Sequence, residues 1–530
     1  MNTRLHLIVL AKPGRLASIR WRAKGDRGGQ HNDIADEMAD ILWRQVLTAL
    51  VHALAVRTFV LLLLVAVPAQ VRAGDATKHT SQAVLGLAEG SADPDATPSK
   101  LDRKMTNFLE RDTLTGDWGG VRTLLQNAGI TLGLLDQNEV WGNLTGGLRR
   151  GTVYNGLTTA SLKLDLGKLV CWPGATFFID AFQIHGRGPS ENLVGNLQLV
   201  SNIEATRDTK LYDLWIEQKL LGDRFSIRLG QEGANDEMMI TQYGALFLNS
   251  SFGFPGLPAA DLPSGGPNYP MATPFARVRY QATDQITLTG AIYNGDPAPP
   301  GTGDPQLRDA GGTAFRLNDD ALIFGELWYS INQDPNATGQ PGTYKAGFWY
   351  SSSQFPNQRR DKAGLSLANP ASTGIPSNHP GGFAVYGIVD QMVWKEPGSK
   401  DGGIGLFLLA MGAPQSYNLS NLYIEGGMNW KGPFHGREND VFGFGVAYLG
   451  ISPTTRGFGN DVIFFTGSGS PYSSNETVLE ATYLYQVSPW LTLQPDAQYV
   501  INPGAGIPSA SSHSPLKNAF IIGIRTSIQF

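Results

Sequence analysis

The sequence predicts an all-β protein: a transmembrane, antiparallel up-and-down β-barrel of about sixteen strands, preceded by a short N-terminal helix. Three observations predict it: an amphipathic closing segment, a series of alternating segments, and a sorting of the connections by length. The chain closes with FIIGIRTSIQF, where Phe520, Ile522, Ile524, Thr526 and Ile528 share one face. Gly523, Arg525, Ser527 and Gln529 share the other, with Ile521 the apolar exception. A last strand wet on one side, apolar on the other and stopped at an aromatic suits a wall between lipid and water.

The 530 residues are modest in charge (16% Asp, Glu, Lys and Arg) and rich in Gly (64), Phe (24), Tyr (17) and Trp (11). Gly and aromatics together suit strands, tight turns and interfacial girdles better than helical bundles. A net charge of −5 offers no basic block to neutralise phosphates, which argues against nucleic acid as a partner. The single cysteine, Cys171, excludes an intramolecular disulfide and a Cys-rich metal site and reads as a reduced thiol in a turn.

Residues 1–73 read as a targeting segment. VRTFVLLLLVAVPAQVRAGD places Arg57 before an apolar run, Phe59 to Val67, which Pro68 ends; Val71-Arg72-Ala73 then offers a cleavage site after Ala73. The run is too short for a membrane-spanning helix. The polar stretch before it fits a start assigned too far upstream, with Met38 the initiator. Residues 74–113 lack periodicity and read as a flexible leader. In LTGDWGGVRTLLQNAGI, residues 114–129, Thr115 or Asp117 can cap a short helix with Val121, Leu124, Leu125 and Ala128 on one stripe.

Residues 130–530 carry the barrel pattern. TKLYDLWIEQKLL sets Tyr212, Leu214, Ile216 and Leu220 against Asp213, Trp215, Glu217 and Lys219. DRFSIRLGQE sets Phe225, Ile227 and Leu229 against Arg224, Ser226 and Arg228; ITLTGAIYN, NLYIEGGMNW, TVLEATYLYQ and LTLQPDAQYV repeat the scheme. The segments begin near residues 130, 153, 175, 209, 225, 274, 285, 321, 342, 381, 402, 421, 440, 477, 491 and 520. LGDR, ATDQ, KEPGSKDG and VSPW are short connections, and between them fall long ones at 188–208, 236–273, 296–320, 353–380 and 453–476. Alternate connections of an up-and-down barrel emerge at one rim, so this alternation puts short turns at one end and long loops at the other.

LTGDWGGVRTLLQNAGI, EVWGNLTGGLRRGTVYNG, DLGKL, LYDLWIEQ and FLNSSFGFP, in this order across Leu114 to about Asn294, resemble the OprB family of carbohydrate-selective porins. The GDWGG-R-L-GI start is the specific part, and the N-terminal extension departs from the family pattern. The resemblance implies a sixteen-stranded barrel in the outer membrane of a Gram-negative bacterium. It would pass mono- or small oligosaccharides into the periplasm by passive diffusion, through a lumen narrowed by an inward-folded loop. It also implies outer-membrane lipid and lipopolysaccharide as surroundings, and assembly machinery that reads Phe530. Monomer and homotrimer are both open. A general, non-specific porin is the alternative function.

A neutral sugar offers hydroxyl groups and apolar ring faces, so a selective pore needs polar partners and aromatic faces in a constriction, with weak binding. Lumen-facing parity proposes Trp215 and Glu217 on the fourth strand, Arg228 on the fifth, Arg277 and Arg279 on the sixth, and Glu425 and Asn429 on the twelfth. Arg–carboxylate sets can hold such groups rigid across a lumen. The loop from Ala234 to Thr273 is the second candidate. Tyr243, Phe247, Phe252 and Phe254 make it too apolar for an exposed loop, and Tyr243 and Phe252 join the site candidates. Asp180 and His185 are harder to place, because AFQI interrupts the alternation.

No G-x-S-x-G, H-E-x-x-H or P-loop occurs, and of His185, His379, His435 and His513, three read as lying in connections without a Ser-bearing motif. A catalytic outer-membrane barrel and a plugged structural barrel are the remaining alternatives. No enzyme activity, cofactor or metal is expected.

Overall fold

The computed structural model describes residues 108–334, 337–399, 401–508 and 514–530. It also describes the backbone of a separate two-stranded hairpin, Ile8–Leu10 with Leu16–Ser18. Apart from that hairpin, the targeting segment, its cleavage site and most of the leader lie outside these residues.

From Ile130 the chain forms sixteen antiparallel strands closed into a barrel. They are β1 (Ile130–Thr145), β2 (Gly151–Asp165), β3 (Ala175–Gly186), β4 (Asp208–Leu220), β5 (Phe225–Glu232), β6 (Thr273–Gln281), β7 (Ile286–Asn294) and β8 (Ala321–Ile331). The second half is β9 (Gly342–Asp361), β10 (Pro376–Lys395), β11 (Gly403–Gly412), β12 (Ser420–Lys431), β13 (Val441–Ile451), β14 (Asn475–Ser488), β15 (Leu491–Ile501) and β16 (Ala519–Gln529). β16 pairs with β1, Ile524 opposite Val140, so the sheet has no free edge. Ile522 and Ile524 are 43% and 41% exposed on the outside, whereas Arg525 points in. Ile521, the apolar exception, is fully buried inward, in the cluster that holds Trp141 and Val500.

Turns 221–224, 282–285 and 489–490 mark one rim, and the long connections 187–207, 233–272, 295–320 and 452–474 mark the other. Two corrections apply at the long-loop rim. Connections 146–150 and 413–419 there are short, and much of the expected 353–380 loop is a continuation of β9 and β10, paired through Phe355 and His379. His379 therefore sits in a strand, stacked on Tyr417.

At the short-turn rim the helix is shorter than expected, α1 (Val121–Asn127), after a 3₁₀ turn at Trp118–Gly120. Asp117 Oδ1 accepts from Thr123 N and Oγ1. The apolar stripe does not dock: Leu124 and Val121 are exposed, and the buried residue is Arg122, bonded to Thr113 Oγ1 and the Phe530 carbonyl. The end of the leader is also packed, with Phe108 edge-on to Trp490. Cys171 is exposed in the turn after β2.

One sector interrupts the apolar belt. On the outward face of β1–β3, Asp136 accepts from Thr158 and Asn138 at 2.6 Å each, and Tyr154 bonds Asn138 and His185 Nε2. His185 Nδ1 meets Gln183 at 2.8 Å. These polar groups satisfy one another, which lowers the cost of setting them among Val140, Leu134 and Leu132 on the wall.

Candidate functional site

Two long connections fold into the lumen. The one from β5 to β6, residues 233–272, crosses the barrel and, beyond its root at β4–β6, bonds inward side chains of six further strands. Met239 N donates to Glu326 on β8, Lys345 on β9 donates to the Ile240 carbonyl, and Tyr243 N donates to Asp390 on β10. Asn429 on β12 donates to the Tyr243 carbonyl at 2.7 Å. Leu248 N and Asn249 N both donate to Glu480 on β14, and Gln494 on β15 donates to the Leu246 carbonyl. A carboxylate that accepts two main-chain N–H groups is a strong anchor, because each bond is charge-assisted. The apolar residues follow: Phe247 and Phe252 pack on each other and on Phe407 of β11. Gly443 and Gly445 of β13 make room for them; a Cβ on Gly445 would lie 2.9 Å from Phe252. Likewise Gly405 admits the Tyr243 ring, which a Cβ would meet at 2.2 Å.

The connection from β3 to β4, residues 187–207, enters beside it. Leu197 N and Gln198 N donate to Glu476 on β14, Ser201 Oγ donates to Glu139 on β1, and Arg525 on β16 donates to Asn202. The two loops join through Asn202 N to the Leu248 carbonyl and Ser250 N to the Leu199 carbonyl.

Where β4, β5 and β6 meet the first turn of the larger loop, three guanidinium groups and three carboxylates interlock. Arg277 bonds Glu217 at 2.6 Å and Glu237 at 3.2 Å, and Arg279 bonds Glu237 at 2.5 Å. Arg228 bonds Glu232 and Glu237, each at 2.7 Å, and lies 3.7 Å from Glu217. Burial alone would raise the Glu237 carboxyl, but the charges of Arg279, Arg228 and Arg277 outweigh it and hold it at about 2. Glu237 is thus a shared counter-ion that locks the root of the loop to the wall. Two indoles border the cluster. The Arg228 guanidinium lies 3.9 Å from the Trp215 ring centre; Arg279 and Lys345 lie 4.6 and 4.5 Å from that of Trp328.

The structure divides the sequence candidates. Glu217, Arg228, Arg277 and Arg279 come together as one cluster. Arg279 is its most open cation, with 31% of its side chain exposed, whereas the Arg277 side chain is wholly buried and acts as a strut. Trp215 borders the cluster, but its ring is engaged by Phe178 and Arg228 rather than free to stack on a sugar. Tyr243 is half-buried over Gly405. Phe252 is buried between its own loop and Phe407 on the wall, and Glu425 and Asn429 are buried under the loop and hold it, Glu425 through the Tyr423 hydroxyl. They anchor the constriction and do not line it.

Tyr212 corrects the facing read for β4. A bulge between the Ile179 and Ala181 pairings turns both Tyr212 and Asp213 inward, Tyr212 onto Phe182. β3 itself keeps its alternation, and AFQI reads as a break because apolar Phe182 and Ile184 point in beside Asp180 and pack with Tyr212, whereas polar Gln183 and His185 point out; Asp180 accepts from Asp213 N. Sequence reasoning missed Glu237, Glu232, Trp328 and Lys345, and the inward course of 187–207. Its available signal was the period-two acid and amide series Glu476, Glu480, Gln494, Asp496 and Gln498 on the lumen side of β14 and β15.

A closed sixteen-stranded wall, apolar outside and narrowed by loops that fold into a polar lumen, defines an outer-membrane porin. The chain belongs to the OprB family of carbohydrate-selective porins, whose family profile matches residues 149–530. It is 24% identical over 435 residues to Porin B of Pseudomonas aeruginosa, covering 79% of this chain and 91% of that one. Among solved structures, the high-pH structure of Pseudomonas putida OprB superposes with a TM-score of 0.70 at 23% identity, over 80% of this chain and 100% of that one. This chain is a sugar porin of the outer membrane.

Proposed function

We propose that sugar selection occurs at the Arg–Glu cluster formed by Arg228, Arg277, Arg279, Glu217, Glu232 and Glu237, with Arg279 presenting donors to the passing solute. The observation that carries this reading is the balance of three cations and three carboxylates in hydrogen-bond contact. A balanced set exerts little net field on an ion. It still offers directional donors and acceptors to replace the water a neutral sugar sheds. With the Trp215 ring engaged and Trp328 flanked by two cations, polar contacts outweigh ring stacking here. That favours brief binding of single sugar rings over a continuous ramp for long chains. Transport is passive, without a catalytic step. Phe530, its N–H bonded to the Leu134 carbonyl at the short-turn rim, is the residue we assign to recognition by assembly machinery.

The test is conductance of the purified protein in a planar bilayer, titrated with several mono- and disaccharides. Transient blockade by monosaccharides, stronger than by disaccharides, supports the reading. Sugar-independent current would mean a general diffusion pore.

A further inference from the structure

One group of basic residues gathers outside the lumen. At the long-loop rim a cavity of about 490 Å³ is lined by Arg149 and Arg150, which precede β2, by Arg187, which follows β3, and by Arg207, which precedes β4. Four arginines around one opening are unexpected in a chain of net charge −5. Among the described residues, none of the four has a carboxylate within ion-pair distance, whereas Arg228, Arg277 and Arg279 in the lumen are all paired. Among the described residues, Arg149 is the one of the four whose side chain is bonded within the protein, through Nε to the Asn192 carbonyl at 2.9 Å.

The cavity is built on a rigid floor. Leu193 is buried, and its carbonyl accepts from Leu148 N and Arg149 N, so the residues before β2 are fixed against loop 187–207. Arg187 N donates to the Tyr154 carbonyl and fixes the far side. Tyr154, which also lines the cavity, stands exposed on the outward, membrane-facing wall, tied by its hydroxyl to His185. The cavity therefore opens at the level where the apolar belt gives way to lipid headgroups. On this rim, which carries the long loops, that is the outer leaflet.

We infer that this cavity binds phosphoryl groups, and that their source is the headgroup of a phosphorylated outer-leaflet lipid. Guanidinium groups suit phosphate oxygens because their fork donates two parallel hydrogen bonds, and several together neutralise a doubly charged group. A soluble phosphate has the same chemistry, but it would have no use for a cavity beside the lipid-facing wall.

The experiment uses the full-length mature protein in neutral phosphatidylcholine nanodiscs. These are doped with diphosphoryl lipid A or with the same lipid after removal of its phosphates, and bound lipid is counted by native mass spectrometry. Binding of the phosphorylated form, weakened about tenfold or more in R150Q/R187Q and retained in R150K/R187K, supports the site. Both substitutions fall on exposed side chains, so heat-modifiable gel mobility and single-channel conductance should match the parent. Displacement of lipid A by millimolar inorganic phosphate would keep the phosphoryl site and assign it to a soluble ligand. Equal binding of the dephosphorylated lipid, or equal binding by the parent and R150Q/R187Q, would overturn the inference.

Discussion

Arg277 and Arg279 stand two residues apart on the same face of β6, yet their replacement should have opposite consequences. The Arg279 side chain is about one-third exposed, bonded to Glu237 and held near Trp328. Arg279→Ala removes a charged donor from the lumen and leaves Glu237 with Arg228 and Arg277 as partners. A hydrogen bond to a charged group contributes about 1.5–3 kcal/mol, so sugar affinity should fall roughly 10- to 150-fold. Assembly should be unaffected. The Arg277 side chain is wholly buried and bonds Ser226, Glu217 and Glu237 at once. Its loss leaves buried carboxylates short of counter-charge, at a cost of about 3–5 kcal/mol. The root of the inward loop should then loosen. Sugar blockade and open-channel noise, recorded on the same bilayers, separate the two: Arg279→Ala should raise the sugar Kd with quiet conductance, and Arg277→Ala should give a noisier current and a lower heat-transition midpoint. An Arg279→Ala channel that binds sugar as the parent does would refute the site assignment. A quiet, heat-stable Arg277→Ala channel would refute the strut.

On the closing strand, Ile524→Arg faces lipid and should cost about 2–4 kcal/mol near the midplane, whereas Ser527→Arg, on the inward face, should assemble normally; heat-modifiable gel mobility compares them. Glu204 anchors the smaller inward loop by accepting from Ser190 N and Oγ and from Ser201 N. Burial, with a smaller push from Glu139, raises its carboxyl to about 7 against the lowering effect of those bonds. The unfolded carboxyl titrates at about 4.3, so the unfolded chain loses this proton first. Stability therefore falls as pH rises from about 4.3 to about 7 and levels off above. Closures of the channel should grow more frequent over that window in the parent and not in Glu204→Gln; a parent trace independent of pH would count against it. For the N-terminus, sequencing of the protein in the membrane fraction should begin at Gly74, and recovery of chain starting before Met38 would overturn both the cleavage site and the start.

The wall was legible in the sequence because lipid and water each impose their own residues on alternate positions. Most segments from Ile130 to Phe530 record that boundary, β3 and the start of β4 excepted, and most turn lengths, though not those of 146–150 and 413–419, record the rim at which a connection emerges. The larger loop was legible for a related reason: Phe247, Phe252 and Phe254 are too apolar for water and must find a surface, which Gly443, Gly445 and Phe407 supply. The smaller loop carried apolar residues too, Leu193, Val194, Val200 and Ile203, all buried, but nothing local showed where it lands. Leu197, Gln198 and Ser201 enter the lumen because main-chain N–H groups and a hydroxyl meet Glu476 and Glu139 from strands far away in the chain. A local pattern cannot show that pairing. The division of labour between Arg277 and Arg279 was hidden for the same reason. Parity puts both in the lumen, and only the packing around Glu237, brought in by the loop, shows which is a buried strut and which stays partly open. On the proposed reading, selectivity in this barrel is therefore a property of where the loop lands on the wall. A lumen residue read from the strand pattern is a candidate for the site only if no loop covers it, as the loop covers Glu425 and Asn429.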